Sequence, residues 1–275
     1  MIDSLSKTLK SLTKLKHLSR ETLIFRIMPN LFMEVMDRYF RLEVEGLEHL
    51  PKKGSAIVLP NHSGYAGLDA MVLSHEIFKR IHRIPRVLTH YLWFVSKKTA
   101  IPAQKLGFVE ATFANGLRAL KNNQLIILFP EGENGNFKPT MKAYQLQEFR
   151  RGFVRMAIET GAPVVPTFVI GAEETHINLT KLKFGKELKN LVLPLPFNIF
   201  PLPVKWKIKF LPPIDLSHYP KEILKDRDKI REIAFNIQKE MQQELDKELE
   251  RRPGIFIERP EWLQDVLKNI TQKPK

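Results

Sequence analysis

The segment SAIVLPNHSGYAGLDAMVL, residues 55 to 73, contains a short apolar run, a polar turn and then a longer apolar pattern. The run at 55–59 is typical of a buried strand, and the pattern at about 68–80 is typical of a helix. A strand followed by a helix is the repeating unit of α/β proteins, whose ligand sites lie at the carboxyl ends of strands. His62 and Asp69 are therefore predicted at such a site.

The alternation of strand and helix patterns continues along the chain. Further strands are predicted at 86–92, 124–129, 163–171 and 205–211, with helices at about 113–122 and 147–160. In the last strand Trp206, Ile208 and Phe210 alternate with lysines, so one face is buried and the other is cationic. The sequence predicts an α/β fold with a mixed, largely parallel sheet covered by helices.

Both ends of the chain have helical patterns. Residues 1–40 are predicted to form a helical segment, in which the basic amphipathic helix at 1–20 is a candidate for contact with a membrane surface. Residues 217–275 contain a long helix and a tail that pack on the α/β domain at 41–216. The helix has an apolar stripe, which core packing explains better than a partner interface: Ile230, Ile233, Ile237, Met241 and Leu245.

Composition limits the classes of protein. The 275 residues carry a net charge of +14 and include no cysteine, which excludes disulfides and thiol catalysis and favours an anionic partner inside the cell. The N-terminus lacks the features of a secretory signal. The apolar stretch at 191–204 contains four prolines and is shorter than the ~20 residues that span a bilayer, so we expect no transmembrane helix.

His62 and Asp69 are residues that suit acyl transfer to an alcohol. A neutral imidazole can take a hydroxyl proton, and a carboxylate bonded to its other nitrogen fixes the tautomer. On one continuous helix the two side chains would lie about 10 Å apart, so the segment between them must turn, with Gly64 and Gly67 giving the backbone freedom. The alternative is a simple turn in which Asp69 caps the next helix.

A second strand end carries a similar polar turn. LIILFPEGENGNFKP, residues 125 to 139, is an apolar strand followed by Phe129, Pro130, Glu131 and Gly132. Glu131 either faces a substrate or accepts backbone hydrogen bonds in a tight turn, and the sequence leaves both interpretations open.

These segments together resemble the glycerolipid (lysophospholipid) acyltransferase superfamily. Asn61, His62 and Asp69 match its first motif, Phe129 to Gly132 match its third, and APVVPTFVIGAEE at 162–174 matches its fourth. The similarity covers about 42–216. It is closest to the monoacylglycerol and diacylglycerol acyltransferase-like branch, through GFVRMAIETGAP at 152–163 and PLPVKWKIKFLPPI at 201–214.

The resemblance implies a glycerol-phosphate-acyltransferase-like fold and transfer of a fatty acyl group from a thioester, acyl-CoA or acyl carrier protein, to a lysophospholipid or other glycerolipid hydroxyl. His62 would be the general base and Asp69 its orienting partner, with no cofactor. The substrate-binding residues would be Asn61, Ser63, Gly64, Glu131, Gly132 and Pro166. No metal is expected, because His75, His82 and His90 lack ligand spacing.

The sequence also departs from the family pattern. The interval from His62 to Asp69 is longer than the commonest form, and Glu133 and Asn134 stand where Thr-Arg is common. Thr112 lies near the position of the arginine in the second motif. The loss of these cations argues against a phosphate-bearing acceptor such as lysophosphatidic acid.

The basic residues between 77 and 109 have two interpretations. They form either a solvated face or, with Trp93 and Phe94 among them, a surface that docks on an anionic bilayer. The residues are Lys79, Arg80, Arg83, Arg86, Lys97, Lys98 and Lys105.

Three hypotheses for function follow. The first is a cytoplasmic acyltransferase that binds peripherally to the inner face of a membrane containing anionic lipid. The second is a catalytically silent, membrane-associated lipid-binding protein of the same fold. Nucleic-acid binding is the least favoured, because no recognition pattern accompanies the charge.

Overall fold

The computed structural model describes residues 28–62, 67–183, 192–252 and 254–255. Its strands are β1 (Glu43–Glu45), β2 (Ala56–Pro60), β3 (Arg86–Thr89), β4 (Phe108–Glu110), β5 (Leu125–Ile127), β6 (Val164–Ile170), β7 (Asn178–Lys183), β8 (Val192–Pro196) and β9 (Lys207–Phe210). Its α-helices are α1 (Met28–Tyr39), α2 (Leu68–Ile81), α3 (Lys97–Lys105), α4 (Phe113–Lys121), α5 (Glu133–Asn136), α6 (Gly152–Thr160), α7 (Ala172–Thr175) and α8 (Arg227–Glu250).

Seven of the strands form one twisted sheet in the order β1-β9-β6-β2-β5-β3-β4. Every neighbouring pair is parallel except β6 and β9, which are antiparallel. The expectation of an α/β fold with a mixed, largely parallel sheet is therefore confirmed. The helix α1 near the amino end and the long α8 were also expected, whereas the basic pattern at 1–20 lies outside the described residues.

The core has two parts, one on each face of the sheet. Because side chains alternate along a strand, Ile57 belongs to the cluster that contains α4, α6 and α8, and Val58 belongs to the cluster that contains α1 and α2. All five residues of β2 are buried, as expected of a central parallel strand covered on both faces. The apolar stripe of α8 is buried in the first cluster, so the prediction of core packing is confirmed.

Some element bounds differ from the sequence-based expectation. The predicted strand 86–92 ends at Thr89, because His90 accepts a hydrogen bond from Leu92 N–H and begins a 3-10 turn at Tyr91–Phe94. The predicted helix 147–160 begins only at Gly152, because side chains elsewhere bond the N–H groups of Gln147 and Phe149. The strands β1 and β4, of three residues each, were not predicted.

The proline-containing segment 191–204 is not simply a loop. Residues 192–196 form β8, which pairs with β7 in an antiparallel hairpin. The residues just after β8 are very exposed, since 74% of Phe197, 72% of Ile199 and 85% of Phe200 is accessible to solvent. Within the described ranges, no helix combines the length and hydrophobicity needed to cross a bilayer.

Candidate active site

Three neighbouring strands end at the same edge of the sheet. In the order β6, β2 and β5 they are followed along the chain by Glu173, His62 and Glu131. Carboxyl ends of adjacent parallel strands lie side by side, so residues far apart in sequence meet here. The side chains of Glu131 and Glu173 are buried, and the His62 side chain is 14% exposed.

His62 and Asp69 are in direct contact. His62 Nδ1 lies 2.8 Å from Asp69 Oδ2, and the Asp69 side chain is fully buried at 0% exposure. An ionised carboxylate only accepts hydrogen bonds, so Nδ1 carries the proton and the Nε2 lone pair is left to accept another. Asp69 Oδ1 accepts a bond from Ala70 N–H at 2.8 Å, and the position of Asp69 in the first turn of α2 favours its negative charge.

The ring of His62 is also held from one side. It stacks on Phe129 with ring centroids 4.0 Å apart and an angle of 30° between the planes. The turn that the sequence requires before Asp69 reaches α2 through Gly67, whose φ of 75° is the left-handed conformation that glycine favours. Ser63 and Gly64, two of the predicted substrate-binding residues, lie outside the described residues.

Glu131 holds the backbone of His62. Its Oε1 accepts the His62 N–H at 2.9 Å, and its Oε2 accepts the Gln147 N–H at 2.8 Å. Only 1% of Glu131 is exposed. The prediction that this carboxylate forms a wall for the acceptor does not fit, because the protein uses both oxygens itself. Of the two interpretations left open by the sequence, the backbone acceptor is the one that the geometry favours.

Gly132 and Gly135, in the turn after β5, leave space for the side chains of Arg150 and Glu131. A Cβ on Gly135 would lie 2.5 Å from Glu131 Cβ and 2.9 Å from Glu131 Oε2, so only glycine lets the carboxylate reach its position. Gly132 has a φ of 55°, and a Cβ there would lie 2.9 Å from Arg150 Nε. The backbone conformation of the turn is therefore enough to explain a glycine at position 132. Its predicted role in substrate binding stays a prediction.

A buried lysine connects the carboxylates of this edge. Lys138 Nζ lies 2.8 Å from Glu173 Oε1 and 3.5 Å from Glu131 Oε2. Asn61 joins the same network, since its Nδ2 donates to Glu173 Oε1 at 3.3 Å and its Oδ1 accepts the Val169 N–H at 2.8 Å. Asn61 is 0% exposed, and its side chain links the ends of β2 and β6.

Glu173 is the most perturbed member of the network. Burial raises its pKa to about 7, and the nearby ammonium of Lys138 opposes the rise. Its Oε2 accepts the Tyr144 N–H at 2.7 Å, which leaves both oxygens engaged. Neither Glu173 nor Lys138 was predicted as a site residue. Glu173 lies within the fourth-motif segment, just after β6, which is a usable signal, whereas nothing local marks Lys138.

Pro166 also differs from its predicted role. It lies inside β6, is buried, and its carbonyl accepts the Leu211 N–H at 2.9 Å. Because every residue of β6 is buried, Pro166 is part of the core. Direct contact between Pro166 and a substrate therefore does not fit this structure.

The departures from the family pattern have structural partners. Glu133, which stands where threonine is common, has its Oε1 2.6 Å from His90 Nε2. Thr112 caps α4 by accepting the Asn115 N–H at 3.2 Å.

Part of the basic run at 79–105 is paired within the fold. Lys79 pairs with Asp37 and Glu34, and Arg83 donates to the carbonyls of Pro51 and Gly54. Much of this charge is therefore used within the fold, although Lys97 and Lys98 at the start of α3 are exposed.

Comparisons with known proteins find acyltransferases that are similar in sequence or in fold. Residues 41–170 match the family model described as Acyltransferase. An uncharacterized protein of Mycobacterium tuberculosis is 34% identical over 231 residues, which cover 80% of this chain and 64% of that protein. The match thus spans less than two thirds of that relative's length. The Lyso-glycine lipid O-acyltransferase of Phocaeicola vulgatus is 29% identical over 143 residues, covering 49% of this chain and 48% of that protein.

A solved structure shares the fold. The 1-acyl-sn-glycerophosphate (LPA) acyltransferase PlsC of Thermotoga maritima superposes with a TM-score of 0.51 at 17% sequence identity, covering 88% of this chain and 89% of that chain. The chain is therefore similar in sequence to acyltransferases over residues 41–170, and it shares the fold of this solved structure.

Proposed function

We propose that this protein transfers a fatty acyl group from a thioester to the hydroxyl of a glycerolipid or other lyso-lipid. The observation that carries the proposal is the 2.8 Å contact between His62 Nδ1 and the fully buried Asp69 carboxylate. That contact leaves Nε2 as the basic atom of an oriented imidazole at a strand end, which is the arrangement that activates a hydroxyl nucleophile. The family match over residues 41–170 supports the same reaction class.

The proposed reaction needs no covalent enzyme intermediate. His62 Nε2 removes the proton of the acceptor hydroxyl as its oxygen attacks the thioester carbonyl, and the buried Asp69 stabilises the imidazolium that forms. The tetrahedral intermediate then breaks its carbon–sulfur bond. The leaving thiolate takes the proton back from the imidazolium, so the products are the ester and the free thiol, and His62 is neutral again.

We further propose that the acceptor lacks a phosphate monoester. Asn134 stands where an arginine would attract a phosphate, and the preceding residue is an acid, Glu133, paired with His90. A carboxylate at 41% side-chain exposure repels a second anion. One similar protein is named a lyso-glycine lipid O-acyltransferase, so the chain resembles a protein whose named acceptor is not lysophosphatidic acid.

The protein is proposed to meet its acceptor at a membrane surface, on the cytoplasmic face. Support comes from the exposed tip after β8, where Phe197, Ile199 and Phe200 present apolar side chains to solvent. The tip is tied to the helix α1, because Tyr39 Oη donates to the Pro201 carbonyl at 2.6 Å. Apolar side chains that enter a bilayer interface add binding free energy that salt does not screen.

Thioester turnover separates this proposal from the silent lipid-binding alternative. Purified protein would be given acyl-CoA and, in parallel, lysophosphatidic acid, lysophosphatidylglycerol and monoacylglycerol, with release of free thiol followed over time. Acceptor-dependent thiol release with a matching ester product supports the enzyme. Binding of lipid with no thiol release from either acyl-CoA or acyl carrier protein supports the alternative.

A further inference from the structure

A second group of polar side chains lies between α1 and α2, away from the three strand ends. Glu34 and Asp37 come from α1, and His75 and Glu76 come from α2. One ligand atom from each of Glu34, Asp37 and His75 lies within 4.8 Å of the others. Carboxylate oxygen and imidazole nitrogen at this spacing are the donor set of a divalent cation.

The same side chains have unsatisfied atoms. Within the described part of the chain, four buried side-chain polar atoms have no hydrogen-bond partner, and three of them are Asp37 Oδ1, His75 Nε2 and Glu76 Oε1. Glu76 is 0% exposed, so water does not compensate its free oxygen. Three polar atoms on the neighbouring helices α1 and α2 are thus unsatisfied.

The lysine and arginine nearby satisfy only the other oxygens. Lys79 Nζ lies 2.7 Å from Asp37 Oδ2 and 2.9 Å from Glu34 Oε1, and Arg80 Nε lies 2.6 Å from Glu76 Oε2. Lys79 Nζ is 3.7 Å from Glu76 Oε1, too far for a hydrogen bond. Because the Lys79 side chain is 37% exposed, it can withdraw toward solvent.

We propose that Glu34, Asp37 and His75 bind a divalent cation of the zinc class, and that the buried Glu76 adds negative charge beside the site. Such an ion would give the unpaired atoms of Asp37 and His75 a partner and would join α1 to α2. The first turn of α2 carries Asp69, so the ion would also fix the helix that positions the proposed catalytic carboxylate. Sequence spacing around His75 does not indicate this proposed site, because Glu34 and Asp37 lie on a different helix.

Zinc titration of the full-length chain tests the site. The protein would be stripped with a chelator, titrated with ZnCl₂ in a calorimeter, and analysed for zinc content after dialysis. We expect one high-affinity zinc per chain, a higher thermal midpoint with zinc, and much weaker binding of MgCl₂, which prefers octahedral oxygen ligands. Absence of stoichiometric zinc binding by the wild-type chain would overturn the proposal.

Variants locate the zinc. The double variant Asp37→Asn, Glu76→Gln should bind zinc at least about tenfold more weakly than the wild-type chain. If the double variant does not fold, Asp37→Asn alone should show the same weakening. His82→Asn changes an exposed histidine at the end of the same helix and should leave binding unchanged. Zinc binding that survives Asp37→Asn, or that is lost in His82→Asn, places the ion elsewhere and rejects this site.

Lys79 provides the sharpest comparison. If the ammonium and the cation compete for the same carboxylates, Lys79→Met removes a like charge and should tighten zinc binding by roughly tenfold. Stoichiometric binding by Lys79→Met but not by the wild-type chain would mean that lysine is the permanent counter-ion, which contradicts the proposal.

Discussion

Lys138 Nζ lies 2.8 Å from Glu173 Oε1, and the two side chains are 4% and 2% exposed. The same ammonium lies 3.5 Å from Glu131, the residue that accepts the His62 N–H. One buried cation thus serves two buried carboxylates, and one of those carboxylates holds the backbone of the proposed base. Fold stability and the geometry of the site depend on the same ion pair.

Lys138→Met should destabilise the protein strongly. Removing one partner of a buried pair leaves uncompensated charge, which costs about 3–5 kcal/mol, and urea unfolding measures the loss. Adding Glu173→Gln should recover part of it, because the unpaired carboxylate is then gone. The control is Lys121→Met, which breaks an exposed pair with Glu159 and should cost less than about 1 kcal/mol. Equal losses for the two lysines would show that Lys138 is not the central cation.

The pKa of Glu173 predicts a pH dependence of stability. Its folded-state pKa of about 7 lies above the ordinary glutamate pKa of 4.5, so between these values the folded state holds more protons than the unfolded state. The contribution of Glu173 to stability is therefore present below pH 4.5 and is lost as pH rises through 7. Relative to Glu173→Gln, the wild-type free energy of unfolding should fall by about 1–3 kcal/mol across this window. A difference that is flat or rises with pH contradicts the assignment.

Glu131→Gln should affect both stability and turnover. An amide can still accept one backbone N–H, but its NH₂ group faces the other donor, so we expect a loss of about 1–3 kcal/mol. The backbone of His62 would then be less well fixed, and kcat should fall while KM for the acceptor changes little. Glu148→Gln is the matched control, since Glu148 is 74% exposed. A large rise in KM with unchanged kcat would favour the original idea that Glu131 contacts the acceptor.

Local patterns predicted the elements but not the network at their ends. The strand before His62 and the helix after it follow from hydrophobic period alone, and the glycine-containing turn correctly indicated that Asp69 folds back. Asn61 and Glu131 were also selected, but their side chains were assigned to a substrate, because a sequence does not show which polar groups the protein satisfies itself. The Asn61–Glu173 bond joins residues 112 positions apart. No local sequence pattern contains such a contact. The division of the chain into segments 1–40, 41–216 and 217–275 stays a prediction.

The exposed tip should act in membrane binding without contributing to stability. Replacing Phe197, Ile199 and Phe200 with serine should leave the melting temperature within a few degrees, because all three side chains are largely exposed. Sedimentation with anionic vesicles should show loss of the binding that remains at high salt. Ile84→Ser with Val95→Ser is the control, since these residues are also exposed but lie elsewhere. If the tip and control variants bind equally at high salt, the tip is not the membrane contact.

The central claim is that His62, oriented by Asp69, removes the proton of the acceptor hydroxyl. The most direct measurement is acceptor-dependent thiol release from acyl-CoA by the wild-type chain, His62→Ala and Asp69→Asn, each checked for an unchanged fold. We predict that His62→Ala abolishes turnover and that Asp69→Asn lowers kcat by on the order of 10³ to 10⁴. Full turnover by the folded His62→Ala protein would contradict the mechanism.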